Sequence, residues 1–459
     1  MERYVSLRKL LLGVVTLLVF NLCIILQSTV AEEKKGVTEE ILEILKSEGT
    51  ITEEQYNELM KKAKEEREEE PKDFRVYWKE GIRLDSKDKQ FKMKIGGRTQ
   101  IDWNWIGDDQ DIKDAFPNFG GHGVEIRRAR IYFEGTIYDS TFFKSQFDFA
   151  GGDVDFKDVY IGLKKVPVVG QITAGHQKEP FSLNELTSSK YITFMERALP
   201  NAFAPGRNTG IKLNNSQLED RMTWAVGAFE NVDDTGDAFA DFSDYNVTAR
   251  VTGLPWYADE GKKLIHLGLS YSHQFRSGNN NPTRYRKRPE SHNTSVRLVD
   301  TGDIPADDAD LINPEVALVY GPFSLQGEYF YATLDNDEDF DFSGFYAFAS
   351  YFITGESRKY SASKGYFGRV KPKENFHQTK GGWGAWEVGV RYSYLDLKDG
   401  GIKGGKESNV TLGLNWYLNP NVRWMFNYIY VDVDDRDSGG RAIDNGNANI
   451  FQTRLQIDF

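Results

Sequence analysis

FKMKIGGRTQIDWN, residues Phe91 to Asn104, holds a strict period of two over its whole length. Phe91, Met93, Ile95, Thr99, Ile101 and Trp103 fall on one face, and Lys92, Lys94, Arg98, Gln100, Asp102 and Asn104 on the other. One face suits lipid and the other water. A membrane-crossing strand needs about 9–11 residues of this alternation with aromatics near its ends, and this stretch is long enough. A half-buried strand of a soluble sandwich alternates in the same way, so the number of repeats has to decide.

The pattern recurs to the end of the chain. Val124 to Ile137 sets Ala129, Ile131, Phe133 and Ile137 against Arg128, Arg130, Tyr132, Glu134 and Thr136. Shorter alternating segments follow at Phe142–Ala150, Phe156–Leu163, Gln171–Gln177, Thr209–Leu213, Met222–Phe229 and Tyr245–Val251. Cleaner ones place Ile265, Leu267, Leu269 and Tyr271 on one face, then Trp386, Val388, Val390 and Tyr392, then Val410, Leu412 and Leu414, then Val422, Trp424 and Phe426. Connections alternate between short (Asp139–Ser140, Gly321–Pro322, Asn419–Asn421) and long (Ile106–Gly123, Lys178–Asn208, Val433–Ala448). Arg284 to His292 reads as a loop, because Pro289 and its dense charge argue against a strand. Sixteen strands remain, an even number that returns the chain to its starting side. The terminal FQTRLQIDF turns Phe451, Thr453, Leu455, Ile457 and Phe459 outward to close the ring. The prediction is an all-β, 16-stranded antiparallel transmembrane up-and-down barrel with an aqueous lumen, spanning residues 71–459. A sandwich has no use for so many such strands.

Ahead of the β pattern stand two other segments. Residues 1–31 order a basic start (Arg3, Arg8, Lys9), an apolar run from Leu10 to Leu26 and a small-residue end at Ala31, as a secretory signal peptide does. An uncleaved anchor is the alternative. Cys23 lies inside this leader, so no disulfide or thiolate metal site is expected beyond it. Residues 32–70 switch to helical spacing: Ile41, Leu42, Ile44 and Leu45, then Tyr56, Leu59 and Met60 after Gly49, with Thr52 and Gln55 forming a capping box. This acidic helical extension carries fourteen Glu against seven Lys or Arg. It reads as a solvated periplasmic spacer or as an association element, through self-contact or contact with the cell wall. The whole chain carries a formal charge of −12, and nucleic acid is not expected as a partner.

Chemistry, if any, lies in the basic residues of the lumen. Arg284, Arg286 and Arg288 recur at period two and would project as a ladder from an extended loop; alternatively they pair with the acidic run Asp300 to Asp310 or bind lipid phosphates. Lys178–Asn208 is too long for a plain hairpin connection and holds Ile192, Phe194, Met195, Leu199 and Phe203, which need a packed site. Folding it into the lumen would bring Lys190, Arg197 and Arg207 opposite Arg98, Arg128 and Arg130, with Arg391 on the polar face of a later strand. Some of these arginines are expected to brace carboxylates such as Glu134, Asp148, Asp158 and Glu387 instead. Gly355–Gly382 falls on the periplasmic side by parity, and its Arg369, Lys371 and Lys373 suggest a third insertion or an exit ring. None of the six histidines sits in a recognisable nucleophile constellation, so an enzyme is not expected, nor any cofactor or metal.

Several blocks resemble the phosphate-selective porin O and P family: VEIRRARIYFEG (Val124–Gly135), TSSKYITFMERALPNAFAPGRNTGI (Thr187–Ile211), YRKRPESH (Tyr285–His292), SYFITGESRKY (Ser350–Tyr360), GGWGAWEVGVRYSYLDL (Gly381–Leu397) and GLNWYLNPNVRWMFNY (Gly413–Tyr428). The resemblance runs from about Phe91 to Phe459 and leaves the helical extension outside. It implies a trimeric barrel in the outer membrane of a Gram-negative-type bacterium, with outer-membrane lipid around it and infolded loops narrowing it. Its lumen would be lined with Arg and Lys that attract phosphate or related anions. A general porin for another solute, tethered to the cell wall through residues 32–70, is the alternative.

Overall fold

The computed structural model describes residues 37–69, 74–238, 244–276, 281–335 and 339–459. The leader read at residues 1–31 and the break at Pro71 lie outside them. The helices described before residue 70 fall in one compact unit and residues Phe74–Phe459 in another.

In the first unit, α1 (Val37–Ser47) and α2 (Glu53–Glu69) form a helical pair. The capping box is present: the Thr52 backbone N–H donates to Gln55 Oε1 (2.9 Å) and the Gln55 N–H donates to Thr52 Oγ1 (3.3 Å). Lys46 bridges to Glu53 across the turn at 2.8 Å.

The second unit is a closed barrel of sixteen strands: β1 (Phe91–Asp108), β2 (Gly121–Ile137), β3 (Thr141–Asp148), β4 (Asp155–Val166), β5 (Gly170–Lys178), β6 (Arg207–Gln217), β7 (Met222–Glu230), β8 (Tyr245–Ala258), β9 (Lys263–Phe275), β10 (Asp308–Tyr320), β11 (Phe323–Asp335), β12 (Phe340–Phe352), β13 (Ala385–Asp399), β14 (Ile402–Asn419), β15 (Val422–Ser438) and β16 (Arg441–Asp458). Each pairs antiparallel with its neighbours, and β16 closes on β1 from Ala448↔Asp108 to Asp458↔Arg98. A small hairpin (Phe74–Trp78, Ile82–Ser86) pairs along Lys92–Ile95, the part of the β1 edge that β16 does not reach.

Burial runs opposite to that of a soluble sheet. Outward Leu267 and Leu412 keep 50% and 52% of their surface, while inward Ser270, Ser272, Asn409 and Thr411 keep none. Apolar residues outward and polar residues inward leave lipid as the medium that matches the outer wall. The ordinary core sits inside the ring, at the long-loop end. There Phe181, Phe194, Leu199, Phe203, Tyr285 and Leu298 from infolded loops pack on inward Leu311, Phe330, Phe342, Ile429 and Ile450. The loops therefore fill the lumen on the β10–β16 side and also cover Gln100 and Asn104 of β1 and Asn246 and Thr248 of β8, so that the open space lies mainly against β2–β7.

Two expectations are corrected. Val433–Ala448 is no long loop: β15 and β16 pair out to Ser438↔Arg441, joined by Gly439 and Gly440, both with positive φ, as a tight hairpin needs. The connection near Ile106–Gly123 is also shorter, because β1 runs to Asp108 and β2 starts at Gly121 around a one-turn helix, α3 (Gln110–Ala115), capped by Asp109. Arg284–His292 is not a barrel strand, in line with its sequence; only Arg286–Lys287 pairs, with Val299–Asp300.

Candidate functional site

The Lys178–Asn208 segment folds inward, and its apolar residues Ile192, Phe194, Met195, Leu199 and Phe203 are all buried. Polar groups of the β11–β16 wall fix its backbone. Glu328 accepts the N–H groups of Leu183 (3.1 Å) and Asn184 (2.8 Å) at the first turn of the short helix α4 (Leu183–Leu186). Arg423 donates to the carbonyls of Ile192 (2.7 Å) and Thr193 (3.0 Å), and Asn427 accepts the Met195 N–H at 2.8 Å. Glu196 is held by Arg127 (2.8 and 3.1 Å) and Arg454 (2.6 Å), and Arg454 itself forks onto Asp102 at 2.7 and 2.6 Å. Such bidentate contacts set geometry as well as charge.

Held this way, the loop faces the open wall across a chamber of about 420 Å³. Arg98, Arg128, Arg130, Lys190, Arg197 and Arg207 all line it. Eleven Lys or Arg surround this space against two carboxylates, Glu134 and Asp158, so it is strongly cationic in a chain whose formal charge is −12. The cations divide by partner. Arg130 is braced by Asp148 (2.6 Å), Arg207 and Lys144 by Asp158 (2.8 and 2.7 Å), and Arg197 and Lys178 by Glu185 (3.1 and 2.8 Å). Arg98 donates to Ser189 Oγ at 2.5 Å and, among the described residues, forms no ion pair, nor do Lys94, Lys212 and Lys364. Lys190 lies 3.6 Å from Asp458. Burial pushes its ammonium down to about 7, only partly opposed by Asp458.

Toward the long-loop end a second chamber, about 250 Å³, is lined by Arg286, Lys287, Arg288 and Arg297 with Arg127. Arg128 and Arg197 line both chambers and so form the neck between them. Burial pushes the Lys287 ammonium down to about 8. At the short-turn end the middle chamber shares Gln177, Lys212 and Lys364 with a third of about 430 Å³. Shared lining residues set the three chambers next to one another along the barrel.

Two expected residues stand apart. Arg284 does not extend a ladder: it forks onto Asp300 at 2.7 and 2.6 Å and reaches Asp303 at 3.3 Å, the pairing with the acidic run that the sequence also allowed. Arg391 is buried behind the loop, donating to the Glu290 carboxylate and to the Glu196 carbonyl (2.9 Å), with Phe194 beneath its guanidinium. The period-two argument fails for the Arg284–Arg288 segment because Lys287 lines the outer chamber alongside Arg286 and Arg288. Arg127 was missed for a related reason. The β1–β2 register jumps from Gln100↔Arg128 to Ile101↔Ile126, so Arg127 is the extra residue of a β-bulge. Strict alternation points it at lipid; the bulge delivers it to Glu196. The third insertion is present: Arg250 donates to the Gly365 carbonyl (2.8 Å) and Tyr360 Oη meets His266 Nδ1 at 2.6 Å on the inner wall. Its Arg369 and Lys371 are paired, with Asp458 and with Glu80.

Residues 93–459 match the family described as phosphate-selective porin O and P. An uncharacterized protein of Caulobacter vibrioides is 30% identical over 398 residues, covering 84% of this chain and 77% of that one. Porin O of Pseudomonas aeruginosa is 27% identical over 430 residues, covering 84% and 93%. Among solved structures, the trimer form of OmpT from Vibrio cholerae superposes with a TM-score of 0.50 at 12% identity, covering 80% of this chain and 99% of its own. OmpF of Salmonella typhi also gives 0.50 at 12% identity, covering 84% and 100%.

Proposed function

Because this chain belongs to the phosphate-selective porin O and P family, an outer-membrane porin family, we propose that its barrel is an anion-preferring channel that selects phosphate or related oxyanions on Arg and Lys side chains of the lumen. The observation that carries this reading is the division of cations in the adjoining chambers. Of the carboxylates near the path, Asp158, Asp148, Glu185 and Glu196 are taken by arginine or lysine and Glu134 is not, whereas Arg98, Lys212, Arg286, Lys287 and Arg288 have no acidic partner among the described residues. Unpaired cations in a confined, partly dehydrated passage replace the water an oxyanion sheds.

In this account Arg286, Lys287 and Arg288 gather anions at the outer mouth. Arg128 and Arg197, each beside a carboxylate of its own, border the neck, and Arg98 with Lys190 holds the anions in the middle chamber. The guanidinium fork offers two parallel N–H donors to two phosphate oxygens, a match that chloride with its single centre does not repay. Arg284 and Arg391 brace the loops. The assembly is a homotrimer, a reading supported by the trimer form of OmpT. Residues 32–70 are a periplasmic extension, available for self-association or for contact with the cell wall, and play no part in conduction.

The test is a titration of single-channel chloride current with inorganic phosphate in a planar bilayer. Saturable block at phosphate concentrations far below that of chloride is the expected result. Current that falls only in proportion to the phosphate mole fraction would refute selection in the lumen.

A further inference from the structure

The third chamber differs in chemistry from the two before it. It lies at the short-turn end, since Phe142, Gln171, Asn214 and Thr223 stand within a few residues of the turns that join β2 to β3, β4 to β5 and β6 to β7. No carboxylate lines it, and its cations add little of their own. Lys212 and Lys364 are shared with the middle chamber, and Arg250 is occupied by Glu315 (2.7 Å) and the Gly365 carbonyl (2.8 Å). What it does offer is aromatic faces and side-chain amides. Phe142, which lines this chamber alone, stands edge to face with Tyr160 at a centroid distance of 6.1 Å; Tyr160 and Tyr366, the latter from the inserted periplasmic loop, stand at the boundary and line the middle chamber too. Asn214 and Gln171 hold one another at 3.2 Å, each with hydrogen-bonding capacity to spare. Gln177, at the boundary with the middle chamber, spends Nε2 on two backbone carbonyls and leaves its buried Oε1 without a partner.

An inorganic oxyanion can accept from the amide N–H groups but has no use for aromatic faces or for the amide oxygens. A sugar does: its C–H faces lie on aromatic rings and its hydroxyls both donate to and accept from amides. The chamber's roughly 430 Å³ is within the span of about 300–1,000 Å³ usual for small-molecule sites. We propose that this chamber takes the organic body of a hydroxylated phosphomonoester, of which a hexose phosphate is the type, while its phosphate group occupies the adjoining basic chamber. The inference rests on the anion reading of that basic chamber. It extends the solute class from inorganic oxyanions to sugar phosphates and assigns the periplasmic insertion a part in recognition.

The experiment measures block of chloride current by glucose 6-phosphate, inorganic phosphate and glucose in planar bilayers, for the native channel and for Phe142→Leu and Asn214→Ala. Both positions line the third chamber and neither borders the basic one. Glucose 6-phosphate should block the native channel more tightly than inorganic phosphate. Each variant should lose about fivefold of that advantage, the worth of one hydrogen bond or ring contact, with phosphate block unchanged. If a variant fails to insert, Gln171→Ala serves in its place. Equal block by the two phosphates, or an advantage untouched by all three substitutions, overturns the inference. Absence of block by either phosphate overturns the anion reading, and this inference falls with it. Block by glucose alone as tight as by its phosphate would make the chamber a neutral-sugar site and overturn the proposed division of the ligand.

Discussion

Arg98→Gln removes an unpaired cation from the middle chamber without stranding a carboxylate, which makes it the cleanest probe of how the lumen selects. Arg98 is 5% exposed and its recorded partner is a hydroxyl, Ser189 Oγ, so the glutamine keeps a donor there and the barrel should assemble normally. The magnitude follows from Coulomb's law. For an oxyanion about 5 Å away, an effective dielectric of about 20 gives roughly 3 kcal/mol, and fully aqueous screening roughly 0.8. A buried but hydrated lumen lies between, so the phosphate block constant should weaken by about 5- to 100-fold. Because the charge is enclosed, the loss should persist at high salt. Arg286→Gln or Arg288→Gln should behave differently. Those charges sit toward the mouth, where screening over about 10 Å at 0.1 M and about 3 Å at 1 M confines them to steering. Their loss should lower anion conductance at low salt and leave phosphate block within about twofold at 1 M. The assay is single-channel chloride current titrated with phosphate at both salts. If Arg98→Gln changes block by less than twofold while the mouth variants abolish it, selection lies at the mouth and the assignment of the middle chamber is wrong.

Further outcomes follow from the same geometry. Burial pushes Lys190 down to about 7, so its charge is present below that pH and lost above it; block by sulfate, whose own charge is constant over this range, should weaken as pH rises from 6 to 8, and Lys190→Arg should flatten the profile. A block constant that is already flat in the native channel would show that Lys190 does not face the anion. Glu196→Gln leaves Arg127, Arg128 and Arg454 without a shared carboxylate and should cost about 3–5 kcal/mol of stability, read as a lower temperature for loss of the folded band on electrophoresis without boiling. Deleting residues 32–70 should leave single-channel conductance unchanged, since the closed sheet begins beyond them; absence of channels would place the extension in barrel assembly.

The barrel could be read from the sequence because period-two alternation is a local property repeated sixteen times, and each strand states its own two faces. The inward loop at Lys178–Asn208 was legible for a similar reason, since Phe194 and Met195 have no stable place in water. The rest depends on register and pairing. Arg127 is turned inward by a bulge that only the partner strand reveals. Arg284 is withdrawn from the path by Asp300, sixteen residues on, and Arg391 by Glu290; nothing in the spacing of basic residues says which of them have acidic partners in space. Val433–Ala448 looked like a loop because its Asp, Gly and Asn content imitates one. Beyond the lipid band a strand no longer needs apolar residues facing out, and this hairpin pairs on without them.

The central claim is that cations without acidic partners decide what crosses the lumen, and the reversal potential tests it most directly. A single native channel is held in a planar bilayer under a tenfold KCl gradient at neutral pH. The account predicts a potential close to the chloride limit, about 59 mV in magnitude with the sign of an anion-selective pore. A potential near zero, or on the potassium side, would contradict it.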